Sequence, residues 1–467
     1  MQSSISIVFG MAGAIALVGC ASTRPDLPDA PPQFAAAVSG ESAAQEPSSG
    51  WLEAWQTPEL TTLAREAIVA NPELAAAEAR SQASRARARG AFGRILPTLG
   101  ISSDLTRTET PGPGNATLTT DIVSAAASAS WEADIWGRVS ALAAAADRDA
   151  DASDADFEGA RLSITGRTAR AWIDLIEAQQ LEALAAEDLA TRERALTITQ
   201  RRYERGLLTA LSVRTARSQT ASARASASQA QEALNAASRR LQVLLGRYPD
   251  AELRATGAAP ALAELHATGA PQTLLDRRPD VLAAQARLES AGFRLHEARA
   301  SLLPRLTLSA RAFGDGGQLA QAIDPDTLVN QLIAGLTAPL FQGGSLRQEV
   351  RASAAEVRGA AANYVSTTLD AWSEVETAIT ADTSLAVREA ELATAAQEAA
   401  QAQELAEREY ERGVATIFEL IDAYSRRIDA QRGLIATRAA RVSNRITYHV
   451  ALGEPGFVTT PAEGAGP

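Results

Sequence analysis

The chain repeats itself at a spacing of 207 residues, and this repeat constrains its architecture more than any single motif. Asn71-Pro72-Glu73-Leu74 returns as Arg278-Pro279-Asp280-Val281. Ile95-Leu96-Pro97 returns as Leu302-Leu303-Pro304, and Arg202-Tyr203-Glu204-Arg205-Gly206 returns as Glu409-Tyr410-Glu411-Arg412-Gly413. Three separate anchors at one spacing mark a duplication. Trp172 and Trp372 lie 200 residues apart, two helical turns short of the repeat, which leaves the helix face unchanged. A compensated phase slip and a coincidence of two tryptophans both fit that pair.

Each half reads helix, strand, strand, long helix, shorter helix. Residues 57–92 are helical with a break at Asn71-Pro72, because the residue before proline is driven out of the α region. From Arg138 to about Tyr248 there is no proline, and the run is Ala and Leu with Glu, Gln and Arg, all good helix formers. Its punctuation is Arg205-Gly206-Leu207, so helices are expected at 138–204 and 209–246, and in the second half at 345–411 and 415–452. At 1.5 Å per residue the longer ones reach about 100 Å. Such a helix belongs in a bundle, a coiled coil or a tube. A tube wall one helix thick has little core to fill, which suits an aromatic content of 4% and abundant alanine.

Between the helices the sequence alternates with period two. Ile95, Leu99, Ile101 and Leu105 oppose Thr98, Ser102, Asp104 and Thr106. Val123, Ala125, Ala127, Ala129, Trp131, Ala133 and Ile135 oppose Ser124, Ser128, Ser130, Glu132 and Asp134. Leu306, Leu308, Ala310 and Ala312 oppose Arg305, Thr307, Ser309 and Arg311. A fourth run places Leu328, Leu332, Ala334, Leu336, Ala338 and Leu340 on one face. One apolar and one polar face at this length match strands of an outer-membrane barrel. A soluble half-buried sheet has the same alternation. Four membrane strands cannot close by themselves, so other copies must complete the sheet: two copies give a filled barrel, three leave room for a channel. The glycine-rich Pro111–Asn115 and Gly314–Gly317 are expected as the turns joining the strand pairs, on the extracellular side.

Met1 to Gly19 carries no charge, and Ile5 to Val18 is apolar or small, too short to span a bilayer but long enough for a signal peptide. It runs into Leu17-Val18-Gly19-Cys20-Ala21, which looks like a bacterial lipobox, with Cys20 as the acylated first mature residue; a cleaved secretory signal with an incidental cysteine is the alternative. Residues 20–50, rich in Pro, Ser and Ala, read as a tether. The remaining divisions are a first repeat at 51–260, a second at 261–455 and a tail at 456–467. The single cysteine excludes an intrachain disulfide and a cysteine-built zinc site. Three scattered histidines, His266, His296 and His449, argue against a metal centre, and no cofactor is expected. A net charge of −12 without a basic cluster argues against nucleic acid.

The duplicated layout, the Cys20 lipobox and the run Leu274-Leu275-Asp276-Arg277-Arg278-Pro279-Asp280 resemble the TolC-like outer-membrane factors, most closely the lipoprotein, NodT-type branch of tripartite efflux systems. Ala298–Pro304, Ala338–Gly344 and Tyr410–Gly413 extend the likeness over residues 51–455. The resemblance implies a mainly α chain with a transmembrane β component, assembled as a homotrimer. Twelve strands form the outer-membrane barrel and twelve helices a periplasmic α-barrel. A periplasmic adaptor and an inner-membrane pump, expected to be proton-driven, dock at the helical end. It implies a periplasmic gate at Tyr410, Phe418, Glu419 and Asp422, with Ala415 where some members carry an Arg that ties the gate shut. It also implies adaptor contacts at two tips, Arg205, Gly206 and Thr209, and Arg412, Gly413 and Thr416. Under three-fold symmetry Glu419 and Asp422 become rings of carboxylates, which favour cations and, by mutual repulsion, take up protons more readily. A solvated helix face explains the same spacing. Asp104, Glu132, Asp134, Glu419 and Asp422 are the acidic residues expected toward the lumen.

The function these expectations describe is a passive exit duct for small molecules, with no chemistry of its own. The alternatives are a duct for protein secretion with an ABC exporter, a structural periplasmic coiled coil and an enzyme. The coiled coil leaves the alternating strands unexplained. For the enzyme there is no nucleophile–base set, phosphate loop or metal spacing.

Overall fold

A computed structural model describes residues 50–111, 113–115, 117–262 and 277–457. Cys20 with its lipobox, His266 and Leu274–Asp276 lie outside the described residues. The elements are α1 (Trp51–Ala54), α2 (Pro58–Ala70), α3 (Pro72–Gly93), β1 (Thr98–Pro111), β2 (Thr117–Ala133), α4 (Arg138–Glu204) and α5 (Ala210–Leu244). The second half follows with α6 (Pro279–Ala300), β3 (Arg305–Gly316), α7 (Leu319–Ala322), β4 (Val329–Thr337), α8 (Ser345–Arg412) and α9 (Ile417–Ala451). The long helices start and stop where proline and glycine allow, at 67 and 68 residues for α4 and α8. Among the described residues no helix is long and apolar enough to cross a membrane. Two compact units share the chain, each drawing on both halves.

The first unit holds one antiparallel sheet in the order β1-β2-β3-β4. Its register turns the period-two alternation into two faces. Leu99, Ala129, Ala310 and Leu332 form one row, Trp131, Leu308 and Ala334 another, and Ala133, Leu306 and Leu336 a third, all on the apolar side. The opposite side carries rows such as Thr98, Ser130 and Ser309, or Asp104, Ser124 and Asp315. Leu99, Ile101, Leu332 and Leu336 are largely exposed, so this chain alone leaves much of the apolar face uncovered. Toward the loop end the band stops at an Arg107–Asp121 ion pair of 2.7 Å. Toward the helices stand Trp131, whose Nε1 donates to the Ile95 carbonyl at 2.8 Å, and Trp136, whose Nε1 donates to the Pro304 carbonyl at 2.7 Å. Amphipathic rings at such a border are typical of a membrane interface.

Three expectations change here. Gly314 and Gly316 are not a turn: they lie within β3, and the connection to β4 carries α7 folded back onto the apolar face. A Cβ on Gly314 would stand 2.5 Å from the Ala322 carbonyl oxygen, and one on Gly316 2.5 Å from Gln321 Cβ, so these glycines are a seat for α7. The fourth strand ends at Thr337, because Pro339 has no N–H for the ladder, and Leu340 is left exposed beyond it. The second strand ends at Ala133. Ile135 therefore falls in a turn, and Asp134 caps α4. Its two oxygens accept from the Val139 and Ser140 N–H groups at 2.9 and 2.7 Å. Burial opposes the charge, but those N–H groups prevail and hold the Asp134 carboxyl below the usual range. Glu132 is engaged by Arg138 through two bonds of 2.8 and 2.9 Å.

In the second unit Trp172, Leu175, Leu241, Leu245 and Ile446 pack with Leu52 and Leu60 into the largest core among the described residues. The duplication reappears here as hydrogen bonds. Asn71 Nδ2 donates to the Leu244 carbonyl at 2.9 Å, and 207 residues on Arg278 Nη1 donates to the Ala451 carbonyl at 2.7 Å. Gly246 and Gly453, again one repeat apart, both sit at φ +68° against the residues two before Pro72 and Pro279, which are Ala70 and Arg277. The residue before Pro72 and the residue before Pro279 are thus each stapled to the end of the last helix of the same half. Arg278 also forks onto Asp280 at 3.0 and 2.7 Å and reaches Glu374 at 2.8 Å.

Candidate functional site

The two helical hairpins α4–α5 and α8–α9 end in tips built to one plan. In each, the last helical residues close on a glycine in the left-handed region, Gly206 at φ +74° and Gly413 at φ +81°. The next amide turns back into the helix, Leu207 N onto the Arg202 carbonyl and Val414 N onto the Glu409 carbonyl, both at 2.9 Å. A threonine then opens the following helix: Thr209 Oγ1 accepts from Ser212 N at 3.4 Å, and Thr416 Oγ1 accepts from Glu419 N at 3.3 Å.

The expected tip residues Arg205, Gly206, Thr209, Arg412, Gly413 and Thr416 are all exposed. Beside them stand apolar pairs, Leu207 with Leu211 and Val414 with Phe418, also exposed and also one repeat apart. Folding alone does not require two solvent-facing surfaces to keep the same arginine, glycine, threonine and bulky apolar positions.

The four expected gate residues separate into two places. Tyr410 is buried with Ala195, Ala216, Ile417, Leu420 and Tyr424. Phe418, Glu419 and Asp422 face outward on α9. Glu419 closes a capping box: its Oε2 accepts from the Thr416 N–H at 2.6 Å and from Thr416 Oγ1 at 2.9 Å. The Thr416 N–H bond therefore holds the Glu419 carboxyl below the usual glutamate range within the single chain. Asp422 is likewise not a bare charge; Arg426, one turn on, donates to it at 2.7 Å. Near Tyr410, burial and then the Glu407 carboxylate push the Tyr424 phenol up.

Sequence reasoning passed over the groups that link one hairpin to the other. Thr199 Oγ1 and Tyr410 Oη are 2.7 Å apart, and Arg202 Nη1 donates to the Tyr410 carbonyl at 2.6 Å. The signal that marks them is broken symmetry, since the residues one repeat on are Ala406 and Glu409. Deeper in the first hairpin, a buried Asp188–Arg192 pair at 2.9 Å passes a further bond from Arg192 Nη1 to Gln219 at 3.0 Å. Among the described residues no group of three His, Cys, Asp or Glu side chains could hold a metal ion. His296 contacts the Trp136 carbonyl, whereas His449 stacks on Trp51 and bonds Glu454.

A family model described as "Outer membrane efflux protein" matches residues 63–247 and again 270–454, one match in each half. The chain is 30% identical over 454 residues to the pyoverdine export outer membrane protein OpmQ of Pseudomonas putida, covering 94% of this chain and 95% of that protein. It is 28% identical over 470 residues to the toluene efflux pump outer membrane protein TtgC of Pseudomonas putida, covering 94% and 93%. Among solved structures, the outer membrane protein VceC from Vibrio cholerae superposes with a TM-score of 0.78 at 26% identity, over 87% of this chain and 98% of that one.

Proposed function

The chain belongs to the outer membrane efflux protein family, and on that premise we propose that it is the outer-membrane exit duct of a tripartite efflux system, working as a homotrimer with a periplasmic adaptor and an inner-membrane pump. The carrying observation is the sheet. It has one apolar and one polar face and finishes in β1 and β4, each with an edge left unpaired among the described residues. Hydrocarbon tolerates no open edge, so copies must close it, and three copies enclose a polar lumen. The duct performs no reaction; the side chains along it bind, gate and exclude. OpmQ and TtgC are named for pyoverdine and toluene, chemically unlike cargoes, which supports a duct that leaves selection to its pump.

The tips supply the periplasmic end. Arg205, Gly206 and Thr209, with Arg412, Gly413 and Thr416, offer the adaptor the same surface twice in each chain. The exposed Leu207–Leu211 and Val414–Phe418 pairs provide its apolar part. The gate joins the buried link at Tyr410 to the outward Phe418, Glu419 and Asp422, whose charge is moderated by Thr416 and Arg426. Cys20 carries the lipid that tethers the trimer to the outer membrane. Replacing it by Ala should abolish palmitate incorporation while leaving detergent-resistant trimers intact.

The duct itself is tested by conductance in a planar bilayer. The purified chain should run as a trimer that resists dissociation, conduct weakly, and conduct strongly once Glu419 and Asp422 are both replaced by Ala. A monomeric species, or trimers that pass no current even with that double replacement, would overturn the reading.

A further inference from the structure

The two tip glycines share a backbone conformation but not surroundings. A Cβ added to Gly206 would meet nothing within 4 Å, whereas one on Gly413 would lie 2.9 Å from Arg202 Nη2. Gly413 is therefore a seat as well as a turn, and its occupant comes from the other hairpin. The Arg202 guanidinium lies over the Tyr410 ring, 5.2 Å from its centroid, and Nη1 donates to the Tyr410 carbonyl at 2.6 Å. That carbonyl belongs to the last turn of α8, where unpaired carbonyls concentrate negative potential. It also accepts from the Gly413 N–H at 3.0 Å. Arg202 itself stands in the last turn of α4. One cation thus serves two helix C-termini. The residue one repeat on is Glu409, so α8 has an acidic group where α4 has Arg202.

The hydroxyl link is weaker by construction. Thr199 has a single proton, and its Oγ1 donates to the Ala195 carbonyl at 2.7 Å. In the Thr199–Tyr410 contact the donor is then Tyr410 Oη. Losing that hydroxyl leaves Thr199 satisfied by its own helix. Losing Arg202 removes a charge-assisted bond and a cation–π contact together.

We propose that Arg202 is the positioning residue that holds the second hairpin tip in the closed arrangement, seated against Gly413. This rests on the gate reading above. The test is single-channel conductance of full-length trimers, each variant first checked for resistance to dissociation. Loss of one charge-assisted bond should shift the open-to-closed ratio by about tenfold or more. R202A and G413A should both raise conductance, and R202A/G413A no further than either. R202K should stay leaky, since an ammonium cannot donate to the carbonyl and lie flat on the ring together. The proposal falls if R202A conducts like the wild type while the Glu419/Asp422 double replacement opens the channel, or if R202A/G413A conducts well beyond both single variants. If the wild type is already fully open, the gate reading falls and the latch with it.

Discussion

Arg278 and Asn71 show how much one side chain carries in a wall this thin. Both are almost fully buried, and both spend a donor on the last carbonyls of their half. Replacing Arg278 by Ala strands the Ala451 carbonyl and removes the fork onto Asp280. We expect a loss of about 2 kcal/mol, read as a lowered thermal midpoint, and a smaller loss for Asn71→Ala. Glu419 makes the pH argument. A carboxyl held below its ordinary value stabilises the fold above that value, and the contribution disappears as pH falls through the lowered one. The first turn of α9 should therefore keep its amide protection at neutral pH and lose it in acid. In Glu419→Ala the protection should already be low at neutral pH and change little. Hydrogen exchange at Glu419, corrected for the intrinsic rate, separates the two outcomes. The capping pair was legible in Thr416-x-x-Glu419, a local signature; the partner of Asp422 was also within reach, as Arg426 stands four residues on.

Among the elements, helices announce themselves by composition and by the absence of proline, so α4, α5, α8 and α9 fall within a few residues of their expected bounds. The connection between β3 and β4 was misread because glycine has two uses. The residues that looked like a flexible turn are flat strand positions that let α7 approach, and only the register of β2 against β3 exposes this. Gly314→Val should lift α7 off the sheet, and digestion of 317–328 by protease added to intact cells should become several-fold faster. The α8–α9 pairing has a buried tie of its own: Arg445 bonds both oxygens of Asp382 at 3.2 and 3.1 Å, and Arg441 and Arg438 share Glu389. Asp382→Ala strands a buried arginine, and about 3 kcal/mol should be lost from that pairing, visible as a lower urea midpoint in far-ultraviolet circular dichroism.

The assembled duct depends on surfaces that one chain leaves open. An arginine on the apolar face has to pass into hydrocarbon, at about 2–4 kcal/mol near the midplane. Leu332→Arg, on the exposed side of β4, should therefore reduce the yield of dissociation-resistant trimers in the outer membrane. The same change at Gln331, which pairs with Arg311 on the polar face, should have little effect. The net charge of −12 is partly accounted for by local work. Asp134 caps a helix, Glu132 and Asp382 hold arginines, and Glu419 closes a turn, which leaves Asp104 and Asp315 flanking Ser124 on the polar face of the sheet.

Period, punctuation and repetition are local properties, and they were enough for the helices, the two-faced strands, the duplication and, through its motifs, the family. Contacts between segments far apart in the chain carry no such periodic trace. The seat of α7, the cap at Asp134 and the passage of Arg202 across to Tyr410, 208 residues away, exist because packing brings those backbones together. Free energy at such points depends on distances of a few tenths of an ångström between groups that the chain order keeps apart. The two tip glycines are therefore identical as sequence signals and different as sites: one turns the chain in open solvent, and the other turns it beneath a guanidinium.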